Sequence, residues 1–478
     1  MTAWSRVGGL RTIGGASALT VAALAVASAV GVQSVSAATA SKATASKAAL
    51  VKATTAKVAP AKVAAVKKTV RSPFPVITDA YATTLKSVAA DLDEFWSTEM
   101  PRVYKKAFVP LSGYYAYTEA SLPPSCGGRR PTRYTDIADN AFYCRVSDYI
   151  AFDNQGLFPE IYANFGEVGL ATVIAHEMGH AIQARTSTRL ASVYAELQAD
   201  CFSGAWLARV TADKSPLVKL QAGSLDEAVQ AILAFRDSPG IGAGTPGAHG
   251  NGFDRVNAFQ SGFEEGTSRC AGFTTKQPIV TARDFTTIRE ADSGGNVPIE
   301  TAVQIAVQTA NAQFAANVPG FPNLLRVQPA DAAQLATLKA CPNSVSVADN
   351  LVIVCTVDSD GLPTVGYDAV RLERLYNATG DFGVSFGLVL GWAAVAQQKL
   401  GLATSSTSKA AELQAECFSG SWAGVLNAQT TGDTALSPGD LDEALTTLVR
   451  LPGQAGAFER VRAVRTGFLN GFAACKSI

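Results

Sequence analysis

The chain carries one stretch twice. Glu196-Leu197-Gln198-Ala199-Asp200-Cys201-Phe202-Ser203-Gly204-Ala205-Trp206 returns as Glu412-Leu413-Gln414-Ala415-Glu416-Cys417-Phe418-Ser419-Gly420-Ser421-Trp422. Shorter matches keep the same order around it. Ala138-Asp139-Asn140 pairs with Ala348-Asp349-Asn350, Leu225-Asp226-Glu227-Ala228 with Leu441-Asp442-Glu443-Ala444, and Phe253-Asp254-Arg255-Val256 with Phe458-Glu459-Arg460-Val461. So long an ordered set implies one structural unit used twice, and any fold assigned to the first copy must also suit the second. Two homologous domains are expected, residues 73–275 and 296–478, with the boundary near 277–297. The cysteines divide the same way: Cys126, Cys144, Cys201 and Cys270, then Cys341, Cys355, Cys417 and Cys475. Close C-x-x-C pairs, which zinc clusters need, are absent, and this favours disulfides in an oxidising compartment. Four cysteines allow three connectivities. Chain proximity selects Cys126–Cys144, Cys201–Cys270, Cys341–Cys355 and Cys417–Cys475.

The first copy alone contains His176-Glu177-Met178-Gly179-His180. In a helix the two histidines lie one turn apart on one face and converge on a single metal, with Glu177 beside them. A catalytic zinc takes three protein ligands and keeps one position open for water. A third histidine in the pattern H-E-x-x-H-x-x-G-x-x-H is missing, since Gln183 and Thr186 stand at the glycine and histidine positions. A carboxylate is therefore expected to complete the set. A second helix over roughly 190–210 places Glu196 and Asp200 on one face, Glu196 to bind zinc and Asp200 to accept the spare N–H of His176. The bland alternative, a merely polar helix face, conflicts with the apolar residues around both segments, because burying two histidines and an acid is costly without a partner.

The chain begins with Arg6 and Arg11, then a weakly apolar run to Val32 and Val35-Ser36-Ala37, which reads as a signal peptide over 1–37 cleaved after Ala37. Residues 38–72 are rich in Ala and Lys and lack the large side chains that would offset the entropy of ordering. They read as a solvated tether whose positive charge suits an anionic cell envelope. Over the whole chain the charge balances, 40 Lys and Arg against 40 Asp and Glu, and no nucleic-acid footprint is present.

Folded structure is expected from about Pro73. The spacing of Leu92, Phe95, Trp96, Met100 and Val103 predicts a helix over 91–104 that Pro101 bends or ends. Ala141–Cys144 and Tyr149–Phe152 predict two strands, whose edge can take an extended peptide. Ser224-Leu225-Asp226-Glu227 predicts a capping box. The Gly-rich loop 238–252 carries the third and last histidine, His249.

Beyond the histidine motif, Cys126-Gly127, Ala141-Phe142-Tyr143-Cys144, Asp148-Tyr149-Ile150, Glu196 to Cys201, His249-Gly250 and Arg255 together resemble the neutral zinc metallopeptidases of bacteria. The likeness covers roughly 88–270 and implies a zincin-like fold, helix-rich α+β, binding Zn2+. The second copy resembles that family in its scaffold alone. Gly391, Trp392 and Val395 take the places of His176, Glu177 and His180, and Gln454 that of His249, so this copy is expected to lack the metal site, with Trp392 and Val395 filling the former cleft. The expected activity is hydrolysis of peptide or protein substrates by zinc-activated water, with Glu177 as general base and His249 a candidate hydrogen-bond donor to the oxyanion. The rival reading is a non-catalytic envelope scaffold with a structural or vestigial metal site. Glu177 argues against it, since a structural site needs no base and is closed by a fourth ligand.

Overall fold

The computed structural model describes residues 80–478, apart from 128–131, 222, 323–324, 356–362, 405–407 and 430. The expected signal segment and Lys-rich tether lie outside the described residues. Helix α1 (Ala82–Tyr104) starts earlier than its apolar spacing suggests and tolerates Pro101 in its last turn, where Lys105 closes it in the left-handed conformation. Strands β1 (Gly113–Tyr117), β2 (Ala141–Cys144) and β3 (Tyr149–Asp153) form a sheet of order β1-β3-β2, with β1 parallel and β2 antiparallel to β3. Helix α2 (Leu157–Thr186) is interrupted at Gly166, whose φ of 61° lies in the left-handed region that favours glycine. It is followed by α3 (Ser192–Thr211), α4 (Ser224–Ala234), α5 (Gly252–Glu265) and α6 (Thr267–Ala271).

After the short α7 (Ile288–Ser293), a similar series runs again. It comprises α8 (Ile299–Asn317), β4 (Arg326–Ala330), α9 (Ala332–Lys339), β5 (Val345–Val347), β6 (Val352–Cys355), β7 (Thr364–Asp368), α10 (Ala369–Thr379), α11 (Asp381–Lys399), α12 (Lys409–Asn427), α13 (Asp440–Arg450) and α14 (Ala457–Asn470). The second sheet has the order β4-β7-β6-β5, again one parallel pair (β4 with β7) beside antiparallel ones. The fold is helix-rich α+β. Four disulfides join Cys126–Cys144, Cys201–Cys270, Cys341–Cys355 and Cys417–Cys475, the pairing that chain proximity selects.

Small residues set how closely the helices approach. A Cβ on Gly204 would lie 1.9 Å from the Phe259 carbonyl oxygen, and one on Gly262 would lie 1.8 Å from that of Cys201, so α3 and α5 touch backbone to backbone. The same contacts recur between α12 and α14, where Gly420 meets the Val464 carbonyl and Gly467 that of Cys417. One apolar core extends from Tyr81 to Cys475 through both halves, and the described residues belong to one compact unit. Among the described residues no helix is long and apolar enough to cross a membrane.

Two sequence expectations need correction. Ser224 does not open a capping box: the N-cap is Gly223 in a left-handed conformation, and Ser224 Oγ accepts from Gln221 N instead. Residues Leu390, Gly391 and Ala394, not Gly391, Trp392 and Val395, stand where the first half has His176, Glu177 and His180. Gln397 Nε2 donates to the Ala411 carbonyl at 2.7 Å as Gln183 Nε2 does to that of Ala195 at 2.6 Å, and this contact fixes the register. Accordingly Leu390 faces Glu412, Glu416 and Arg460, while Trp392 turns away and donates its indole N–H to Asn311 Oδ1 at 2.7 Å.

Asp381, Asp440 and Glu443 bring carboxylate oxygens within 4.8 Å of one another. Burial, then repulsion from Asp381, pushes Glu443 up to about 8, and burial with both neighbours holds Asp440 well above the carboxylate range. A carboxyl whose folded pKa exceeds its unfolded value, about 4.3 for Glu, contributes stability that is complete below the unfolded pKa and lost as pH rises through the folded one. Glu443→Gln keeps an oxygen for the Phe382 N–H but cannot ionise. Its melting temperature should therefore exceed that of the parent at pH 8, with the gap closing toward pH 5. A gap that does not depend on pH would show that ionisation of this carboxyl is not what destabilises the fold.

Candidate active site

Helix α2 is buried on every side from Val168 to Gln183, so its polar groups must find partners inside the protein. It crosses α3 at Gly179, where a Cβ would come within 2.8 Å of the Ala199 Cα. This close crossing sets the turn bearing His176 and His180 against the turn bearing Glu196. The three side chains meet, each less than one-tenth exposed.

Each histidine is oriented from behind. His176 Nδ1 lies 2.7 Å from Asp200 Oδ1, as the sequence leads one to expect, and His180 Nδ1 lies 3.0 Å from Gln183 Oε1. Both partner oxygens are acceptors, which assigns the protons to Nδ1 and leaves both Nε2 atoms with lone pairs. Those Nε2 atoms face each other at 3.1 Å, with Glu196 Oε2 at 3.2 Å from His176 and 3.4 Å from His180. Three acceptors packed so closely repel one another unless a cation sits among them. Their spacing matches the edge of a tetrahedron with metal bonds of ~2.0–2.1 Å, about 3.3 Å.

The surroundings favour positive charge at this point. Burial favours neutral imidazoles, yet Glu196 and Glu177 outweigh it at His180 and push it up to about 9, and Asp200 with Glu196 raises His176. Glu196 is held well below the carboxylate range because His180 and His176 overcome its burial. Its Oε1 is buried with no partner among the described residues, as is Glu177 Oε2. Burial pushes the Glu177 carboxyl up, against His180 and His176, and the backbone N–H of Tyr143 on edge strand β2 donates to it. The carboxylates of Glu177, Glu196 and Asp200 thus outnumber the one guanidinium buried beside them among the described residues, that of Arg255. The donor set and the orphaned oxygens fit zinc.

Arg255 and Gln183 are functional candidates to which sequence reasoning gave no role. Arg255, 1% exposed, donates from Nε and Nη2 to both oxygens of Asp200 at 2.8 and 2.9 Å, and from Nη1 to the Phe235 carbonyl. With His176 it outweighs the burial of Asp200 and keeps that carboxyl below its ordinary range. Gln183 could have been found from its i, i+3 spacing to His180, whereas the Arg255–Asp200 pair spans 55 residues and needs the fold.

His249 is not part of the cluster of His176, His180 and Glu196. Asp237 accepts from its Nδ1 at 3.0 Å and from the backbone N–H groups of His249 and Gly250, while His249 Nε2 is buried with no partner among the described residues. The loop packs onto α3, with Gly250 against Val193 and Leu197. In the second half Glu412 accepts from the backbone of Gln454 and Ala455 at 2.7 and 2.9 Å, so its carboxylate serves that loop.

Two histidines and a glutamate on crossing helices, with a further glutamate beside them, form a group that could hold a metal ion in the H-E-x-x-H arrangement. The model of the family described as "Putative neutral zinc metallopeptidase" matches residues 4–273, more than half of the chain, and the chain belongs to that family. Comparisons with curated proteins and with solved structures gave no match.

Proposed function

We propose that the first half is an exported, zinc-dependent endopeptidase and that the second half is a copy of it without the metal site. The observation that carries the reading is the convergence of His176 Nε2, His180 Nε2 and Glu196 Oε2 at 3.1–3.4 Å beside an orphaned Glu177 oxygen. A zinc ion held by His176, His180 and Glu196 would supply Lewis acidity, bringing the pKa of a water toward neutrality and polarising the scissile carbonyl. Glu177 takes the proton from that water and passes it to the leaving amine, base and then acid in one carboxyl. Edge strand β2 offers backbone groups to an extended peptide, and His249 is a candidate donor to the oxyanion. Export is supported by the leader-like N-terminus and by the four disulfides. Loss of the site in the second half is supported by Leu390, Gly391 and Ala394, none of which binds metal through its side chain.

The mature chain, beginning at Ala38 by N-terminal sequencing, is expected to carry about one zinc and to cleave an unbiased peptide mixture. His180→Ala should lose most of the metal. Two tightly held zincs per chain, or full zinc content in His180→Ala, would refute the assigned centre.

A further inference from the structure

The two halves meet through an exchange of like contacts. Asp226 on α4 accepts from Phe458 N at the start of α14, at 2.8 Å. Asp442 on α13 accepts from Gly252 N and Phe253 N at the start of α5, at 3.0 and 2.8 Å. Two ring contacts are exchanged in the same sense, Phe253 with Phe468 and Phe263 with Phe458. Reciprocal pairing of this kind characterises an isologous interface between two subunits, here built within one chain.

The exchange is symmetric in contact but not in consequence. The first N–H groups of a helix lack intrahelical partners, and a carboxylate placed there satisfies them and complements the helix dipole. At α5, Asn251 caps Asp254 N, and Asp442, 3% exposed and paired with Arg236 at 3.2 Å, takes the two N–H groups before it. One turn on, Arg255 grips Asp200, which orients His176. His249 and Gly250 directly precede the Asn251 cap. At α14 the corresponding arginine, Arg460, grips Glu416, and that pair has no histidine to orient.

We infer that Asp442 is a positioning residue of the metal centre: the second half holds the start of α5, and through Arg255 and Asp200 it holds His176 in the attitude that binds zinc. The second half thereby acts as a permanent in-chain partner that completes the working site. This rests on the zinc-site reading above, and the experiment separates the two.

Zinc affinity of the full chain, measured by competition with a chromophoric chelator, is compared for the parent, Asp442→Ala, Asp442→Asn and Asp226→Ala, alongside thermal melts. Asp226→Ala removes the reciprocal bond and so reports what the interface contributes to stability alone. Asp442→Ala is expected to weaken zinc binding about tenfold, the lower end for loss of an outer-shell support, while Asp226→Ala leaves it unchanged for a similar fall in melting temperature. Asp442→Asn, which keeps one accepting oxygen, should fall between, and it decides by the same criterion if the alanine variant does not fold. Parent-like affinity in the Asp442 variants, or equal weakening by Asp226→Ala, would overturn the inference while leaving the zinc site standing. A parent chain that binds zinc but cleaves no peptide would instead sink the peptidase reading, and the affinity ratio would still decide the role of Asp442.

Discussion

Glu177→Gln is expected to retain its zinc and to lose hydrolysis, with kcat falling about 10²- to 10⁴-fold. Glu177 is not among the three converging ligands, so ligation does not depend on its charge. The amide can keep the side chain's place against the Tyr143 N–H with its own oxygen, and the shape of the buried pocket is preserved. What the substitution removes is a lone pair able to take a proton from water. The orphaned Oε2 is the atom at stake, because a buried carboxylate oxygen without a partner is a standing cost that a purely structural site has no reason to keep. Elemental analysis and mass-spectrometric cleavage assays on the same preparation decide it. Parent-like turnover would remove Glu177 from the chemistry, and loss of zinc would recast it as a ligand. The same experiment divides the peptidase from the envelope scaffold, since a scaffold's partner affinity would not respond to this change.

Legibility in the sequence follows the range of the interaction. His176, His180, Glu196 and Asp200 could be read because helical spacing alone puts each pair on one face, and a buried polar face demands a partner. The disulfides could be read from chain proximity. Strand β1 was not: its short Gly-Tyr-Tyr-Ala-Tyr run becomes a strand through parallel pairing with β3, a contact across more than thirty residues. The capping box at Ser224 failed because Gly223, with φ 91°, turns the chain into α4 and takes the cap position itself. In the second half the helix register slipped by one residue. The loop from Gln397 to Ala411 is longer than that from Gln183 to Ala195, and α11 has no ligand residues to pin its phase. Arg255 stood out as a sequence marker, but its partner lay on another helix. The interface between the halves was invisible for the same reason, since Asp226 and Asp442 look like helix-start acids until the partner helix is in place.

The Arg255–Asp200 pair supports the second large effect. Asp200→Ala is expected to cost the folded state about 3–5 kcal/mol, the range for removing one partner of a buried ion pair. Arg255 and Asp200 are each 1% exposed, so water cannot replace the two bonds that the guanidinium loses. The same carboxylate holds His176 Nδ1, and losing it frees the imidazole to turn or change tautomer, which should weaken zinc binding about 10- to 100-fold. The second half contains the control. Arg460 Nε meets Glu416 Oε1 at 2.6 Å in the equivalent place, but Glu416 Oε2 has no partner among the described residues, and burial, opposed by Arg460, leaves this carboxyl pushed up to about 8. A group already inclined to neutrality answers its arginine less fully than Asp200 does, so Glu416→Ala should cost less stability and leave zinc affinity unchanged. Urea unfolding with and without saturating zinc measures both terms. If Asp200→Ala lost stability without losing zinc affinity, Asp200 would be a fold residue alone, and the chain of support from α5 through Arg255 would stop at Asp200, short of the metal centre.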